Sequence, residues 1–167
     1  MLETPPPGIF KLNFDGSVKC YSAAAGAIIR DHEGNLVAAK SYNLGVTPIM
    51  IAEVMGLRNG LLLALQQNIS RILIEGDNML VINAIKNIWK IPSKLDFLIR
   101  DIQQLMSKFT FCEIHHIYRE ANQVADWIAN IGHLLPNEMS IFCQNYSKLK
   151  KIVNYDALGM TFVRKGS

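Results

Sequence analysis

The first 45 residues carry no helical periodicity. Phe10, Leu12 and Phe14 alternate with Lys11, Asn13 and Asp15, the period of a half-buried strand. A second run, Ala23 to Ile29, is small and β-branched. A third, Leu36 to Tyr42, follows the turn cluster Asp31-His32-Glu33-Gly34-Asn35. Two strands joined by such a loop read as a hairpin, so the chain opens with three antiparallel strands. The period then changes. Pro48 suits the first turn of a helix, and Met50, Val54, Leu57 and Leu61 recur at helical spacing to about Gln67. A strand is predicted from Arg71 to Glu75. Asp77 and Asn78 can cap a second helix running to about Asn87. Ser93 is expected to cap a third, whose apolar face holds Leu95, Leu98, Ile99, Ile102, Leu105 and Met106. Phe111 to Ile117 reads as a strand, and a last helix is predicted from about Ala121 to Gly132. A meander followed by alternating helices and strands predicts an α/β domain, a mixed sheet flanked by helices.

Composition narrows the class. The chain has 167 residues, half of them apolar, enough for one domain with a substantial core. Cys20, Cys112 and Cys143 are odd in number and widely spaced, which gives neither a disulfide framework nor a zinc spacing. The start, Met-Leu-Glu-Thr-Pro-Pro-Pro, lacks the pattern of a secretory signal, and no unbroken apolar run is long enough for a membrane span. An intracellular setting, nuclear or cytoplasmic, is expected, with no membrane partner. The mild charge of +3 is unevenly spread: from residue 144 onward five basic side chains face one acid, while residues 1–143 hold 12 basic and 13 acidic. The expected division is a Pro-rich lead-in (1–7), a domain over 8–134 and a basic extension over 135–167, read either as a solvated tail or as an arm contacting a polyanion.

Four acids stand in otherwise apolar stretches. Asp15 closes the first strand, Glu53 lies in the first helix, Asp77 ends the fourth strand and Asp126 sits in the last helix. Each alone has an ordinary reading as a turn, cap or surface residue; all four in that order do not. Glu53 shares its helix face with Gly56, Gly60 and Ala64. Two helix glycines cost roughly 1 kcal/mol each against alanine. Close approach of the helix to the sheet would offset that and carry Glu53 over the strand ends bearing Asp15 and Asp77. Carboxylates gathered there repel one another, and Mg²⁺ or Mn²⁺, which favour hard oxygen ligands, would relieve the repulsion.

The ordered stretches Pro-Pro-Pro-Gly-Ile-Phe-Lys-Leu-Asn-Phe-Asp-Gly-Ser (5–17), Ala-Gly-Ala-Ile-Ile-Arg-Asp-His-Glu-Gly-Asn (25–35), Ala-Glu-Val-Met-Gly-Leu-Arg-Asn-Gly-Leu (52–61), Glu-Gly-Asp-Asn (75–78) and His-Ile-Tyr-Arg-Glu-Ala-Asn-Gln-Val-Ala-Asp (116–126) resemble the type 1 branch of the ribonuclease H family, in particular its plant retrotransposon-related domains. The resemblance covers about 5–133. It implies a five-stranded mixed sheet with helices on both sides. It also implies hydrolysis of the RNA strand of RNA–DNA hybrids, with Asp15, Glu53, Asp77 and Asp126 as catalytic acids holding two divalent ions, Mg²⁺ or Mn²⁺. His116, ten residues before Asp126 and expected on the loop into the last helix, matches a histidine that assists proton transfer or product release. Asn122 matches a position that supports that loop. The Glu-Gly-Asp-Asn motif departs from the commoner Glu-Ser-Asp-Ser, and Ala25 stands where relatives often carry glycine, which is expected to narrow the approach of a nucleic-acid backbone.

Substrate contacts are expected from backbone groups at Gly16 and Ser17, beside the first acid, which could sense a 2′-hydroxyl. The segment 86–94 sets Lys86, Lys90 and Lys94 around Trp89, either a grip on the DNA strand or a linker with Trp89 docked on the core. His115 is read as structural, and no role is assigned to His32 or His133. Exonucleases of the same fold place an acid two residues after the first, where this chain has Ser17; integrases lack the helix glutamate that Glu53 supplies. A non-catalytic binding module derived from a retroelement, or a structural domain beside a reverse transcriptase domain as partner, stays open.

Overall fold

The computed structural model describes residues 5–137 and 139–144. β1 (Phe10–Lys19), β2 (Ser22–Arg30) and β3 (Leu36–Gly45) form the expected antiparallel meander. There follow α1 (Ile49–Gln66), β4 (Arg71–Gly76), α2 (Met79–Ile85), α3 (Ser93–Met106), β5 (Phe111–His116), α4 (Gln123–Ile131) and β6 (Ser140–Cys143). The strands lie in the order β5-β4-β1-β2-β3-β6. β4 runs parallel to β1 and β5, and the remaining pairs are antiparallel.

The sheet therefore has six strands where the resemblance implies five. β6 pairs with the free side of β3, Ala39 opposite Cys143 and Tyr42 opposite Ser140. Ile141 and Cys143 turn inward while Ser140 and Phe142 are exposed. Four residues give too few alternations to stand out against a weakly patterned tail. The basic cluster farther along, from Lys148 to Lys165, lies outside the described residues.

The two faces of the sheet are packed by different elements. Leu12, Phe14 and Ile29 belong to the main core, shared with α1, α2 and α3. On the other face α4 covers a smaller cluster, Ile28, Ala39, Ile128, Ile131 and Cys143. By length and composition α1 would be apolar enough to cross a membrane; here it is the central core helix. Its glycines are explained by contact: a Cβ on Gly56 would stand 2.8 Å from the Asp15 carbonyl oxygen. The same closeness recurs from the sheet side, where a Cβ on Gly16 would meet the Glu53 amide nitrogen at 2.5 Å. Ala25, paired with Gly16, is fully buried, so its methyl group cannot narrow the approach of a ligand from outside.

Local chemistry corrects three expectations. β1 does not end at Asp15. It pairs with β2 as far as Lys19 opposite Ser22, whereas its pairing with β4 stops at Asn13 opposite Glu75. Asp15 thus sits in mid-strand, where β1 and β4 part. Asn78, rather than Asp77, caps α2: its side-chain oxygen accepts from the amides of Leu80 and Val81 at 3.1 and 3.2 Å. Ser93 begins α3 but does not cap it; Pro92 occupies the cap position and no side chain bonds the free amides.

Candidate active site

The gap between β1 and β4 is where the acids gather. Asp15 faces it from β1, Glu53 from α1 and Asp77 from the turn after β4. One oxygen of each lies within 4.8 Å of the others. Asp126, in the first turn of α4, lines the same open cleft, together with Gly16 and Ser17. The four acids come from four separate stretches of chain, and the fold brings all of them to one place.

The electrostatics of the cluster are unfavourable on their own. Asp15 and Glu53 are only 4 % and 5 % exposed. Burial, followed by the charges of Glu53 and Asp77, pushes the Asp15 carboxyl up to about 10. Burial and Asp77 push Glu53 up to about 7. Asp77 is raised chiefly by burial, against the opposing effects of an Asn122 hydrogen bond and the Arg119 charge. The Gly16 amide donates to Asp15 Oδ1 at 2.9 Å. Glu53 Oε2, by contrast, is buried with no hydrogen-bond partner. A buried carboxylate oxygen without a donor is costly, and a cation is the partner that satisfies it. An all-oxygen donor set of this kind fits a hard divalent ion, Mg²⁺ or Mn²⁺.

His116 is the last residue of β5, paired with Gly76, and not on the following loop. Pairing with β4 carries the strand this far. Its Nε2 donates to the Asp77 carbonyl at 3.1 Å, and its ring packs edge-on to Tyr118. It thus ties β5 to the turn that presents Asp77. His115 points the other way and meets Glu113 at 3.0 Å.

Asn122 is buried at the base of the site, against Asp77. Its amide donates to the Phe14 carbonyl at 2.9 Å, and its oxygen accepts from Asn13 at 3.2 Å. Asn13 in turn donates to Glu75 and accepts from Arg30, while Lys11 pairs with Glu75 at 3.0 Å. This buried network pins the start of α4 to β1 one residue before Asp15, so it fixes Asp126 relative to the other acids.

Lys86, Trp89 and Lys90 do not line the cleft. Trp89 packs against the main core, with its amide turned to the Asn83 carbonyl, while both lysines are exposed. Arg119 does line it, beside Asp77 and Asp126, and the sequence reading passed over this residue. The available clue was its place three residues after His116, in a stretch already quoted for other residues. The clamp on Ser17 was also missed: its hydroxyl meets Asn130 and His133, and those contacts cross from β1 to α4 and the turn beyond it.

A family model described as reverse transcriptase-like matches residues 13–132. An Arabidopsis thaliana protein named for ribonuclease H is 29 % identical over 164 residues, 97 % of this chain; the chain spans 26 % of that protein's length. Among solved structures, RNase H1 of the halophilic archaeon Halobacterium salinarum superposes with a TM-score of 0.71 at 25 % identity, covering 74 % of this chain and 96 % of that one. A compost-derived RNase H1 in complex with an RNA/DNA hybrid gives 0.68 at 22 % identity, over 74 % and 96 %.

Proposed function

The chain belongs to the reverse transcriptase-like family, and from that premise we propose that it is a ribonuclease acting on the RNA strand of RNA–DNA hybrids with two divalent ions. The observation that carries this reading is the buried Asp15–Glu53–Asp77 cluster with its unpartnered Glu53 oxygen, opening into a cleft shared with Asp126. The ribonuclease H name of the Arabidopsis relative and the hybrid held by a structural neighbour support the substrate.

Each residue has a role in this reading. Asp15, Glu53 and Asp77 would hold one ion, and Asp15 with Asp126 the other. When bound, the ions supply water activation and stabilisation of the leaving oxygen. Gly16 and Ser17 lie at the cleft wall, where backbone groups can meet the 2′-hydroxyl that separates RNA from DNA. Arg119 brings a guanidinium to a cleft of carboxylates, suited to a phosphate of the incoming strand. His116 spends Nε2 on the Asp77 carbonyl, which leaves Nδ1 as the ring nitrogen for proton transfer.

The test is a strand-labelled hybrid incubated with the chain under Mg²⁺, Mn²⁺ or chelator, beside Asp77→Asn. Cutting of the RNA strand alone, dependent on metal and reduced at least about 10³-fold by the substitution, is expected. A folded wild-type chain that cuts nothing under either metal overturns the reading. Hybrid binding without cutting would replace it with a binding module.

Arg119→Met should weaken the hybrid's KM by about tenfold, the value of one charge-assisted contact, while leaving the unfolding temperature nearly unchanged. Because the contact is to phosphate, the dependence of log affinity on log salt should become shallower by about 1. An unchanged salt slope would place Arg119 outside the substrate path.

A further inference from the structure

His133 has no role by sequence, yet it stands within a directional hydrogen-bond chain that ends on a candidate metal ligand. Asn130 Nδ2 donates to the Asp126 carbonyl at 2.7 Å and to Asp126 Oδ1 at 3.3 Å. With its amide nitrogen turned to Asp126, Asn130 presents its oxygen to the Ser17 hydroxyl, 3.4 Å away. Ser17, having donated its proton there, accepts from His133 Nε2 at 2.9 Å. His133 Nδ1 then accepts from the Ser22 hydroxyl at 2.7 Å. The Asp126 carbonyl can only accept, so the Asn130 amide nitrogen must face it, and that fixes every donor before it.

The ring is half-buried. Burial, with Lys19 nearby, holds its pKa below the usual histidine value and favours the neutral ring; the order of donors puts its proton on Nε2. The contacts tie β1, β2, α4 and the turn at 132–134 together at the cleft wall.

Asp126 needs such a hold. Unlike Asp15 and Glu53 it is only half-buried, and it stands outside the three-carboxylate cluster. Asn122 anchors the backbone at the start of α4 to β1, but its side chain does not cap the helix, so the direction of the Asp126 carboxylate is left to other contacts. We propose that His133 is a positioning residue which, through Ser17 and Asn130, sets the Asp126 carboxylate toward the divalent ions. The proposal rests on the hybrid-nuclease reading of the site. Asn130 is one step behind a metal ligand, and removing such a partner typically changes ion affinity or activity about 10–100-fold; His133 acts two links further back, through it.

The experiment is calorimetric titration of the full chain with Mn²⁺ alone, which does not depend on cleavage. His133→Ala is expected to weaken the Mn²⁺ site served by Asp126 by about tenfold, the lower end of the effect of removing a partner bonded to the ligand itself. His133→Gln, whose side-chain amide can still donate to Ser17, should recover most of that loss. Asn130→Ala removes the last link while keeping the His133–Ser22 contact, and should weaken Mn²⁺ at least as much. The double variant should be no worse than Asn130→Ala alone.

A purely structural role would lower the unfolding temperature without moving Mn²⁺ affinity, and glutamine would not rescue it. Unchanged affinity in a folded His133→Ala or Asn130→Ala chain, or strictly additive losses, overturns the proposal, as does a wild-type chain that binds no Mn²⁺. A wild-type chain that binds Mn²⁺ but cuts no hybrid removes the nuclease reading alone, and the variants' affinities still decide the positioning role.

Discussion

Asp15→Asn is expected to make the metal-free protein more stable and the metal-loaded protein inactive. The two effects have one cause. Asp15 is buried among Glu53 and Asp77, so its charged form is disfavoured in the fold and its carboxyl keeps its proton far above the ordinary range. Between the ordinary carboxylate pKa and the raised folded value, the folded chain holds protons that the unfolded chain has released. Stability of the metal-free protein therefore falls as pH rises through that window. Asparagine removes the charge and keeps an oxygen for the Gly16 amide. Since one pKa unit corresponds to about 1.36 kcal/mol, the variant should gain more than about 1 kcal/mol at pH 8. It should also flatten the pH dependence. Hybrid cleavage should fall at least about 10³-fold. Urea unfolding at pH 5 and pH 8 with chelator, beside the cleavage rate with Mg²⁺, checks both halves; a variant less stable than wild type at pH 8 would contradict the burial argument.

The second large effect is on packing. A Cβ on Gly26 would stand 2.3 Å from the Ala129 amide nitrogen and 2.7 Å from the Ile128 carbonyl carbon. Both obstacles are helix backbone, which cannot rotate out of the way. Gly26→Ala must therefore push α4 off the sheet, opening the cluster of Ile28, Ile128 and Ile131. A loss of about 3 kcal/mol is expected, at the upper end of the usual cost of overpacking, read as a lower urea midpoint. Because α4 also carries Asp126, cleavage should fall in the molecules that stay folded. An unchanged midpoint would show that α4 is held less closely than these distances state.

How far the chain could be read without its structure depends on the range of each interaction. The strands and helices were legible because alternation and helical spacing are local. The glycines of α1 were legible because an exposed helix has no use for two of them, and the contact of Gly56 with the Asp15 carbonyl supplies the reason. The four acids were found because each interrupts an apolar stretch. What could not be read depends on separated segments. Asp15 looked like a strand end because its alternation stops there, yet pairing with β2 carries β1 four residues further. β6 exists only through its pairing with β3. The strand read over 111–117 already holds His116; what local sequence does not show is its parallel partner, Gly76, 40 residues earlier. The basic segment around Trp89 suggested a ligand, and the core took the indole instead. Arg119 and the Ser17–His133 contact join positions whose local sequence carries no sign of the other.

The claim on which the rest depends is that Asp15, Glu53 and Asp77 form a divalent-ion site. The most direct measurement is the unfolding temperature at pH 8 across a Mn²⁺ titration, for wild type and Asp15→Asn. An ion that binds only the folded chain raises stability in proportion to the logarithm of its concentration above Kd. The account predicts a rising unfolding temperature for wild type, reversed by chelator, and a nearly flat response for the variant. A wild-type curve as flat as the variant's would contradict it.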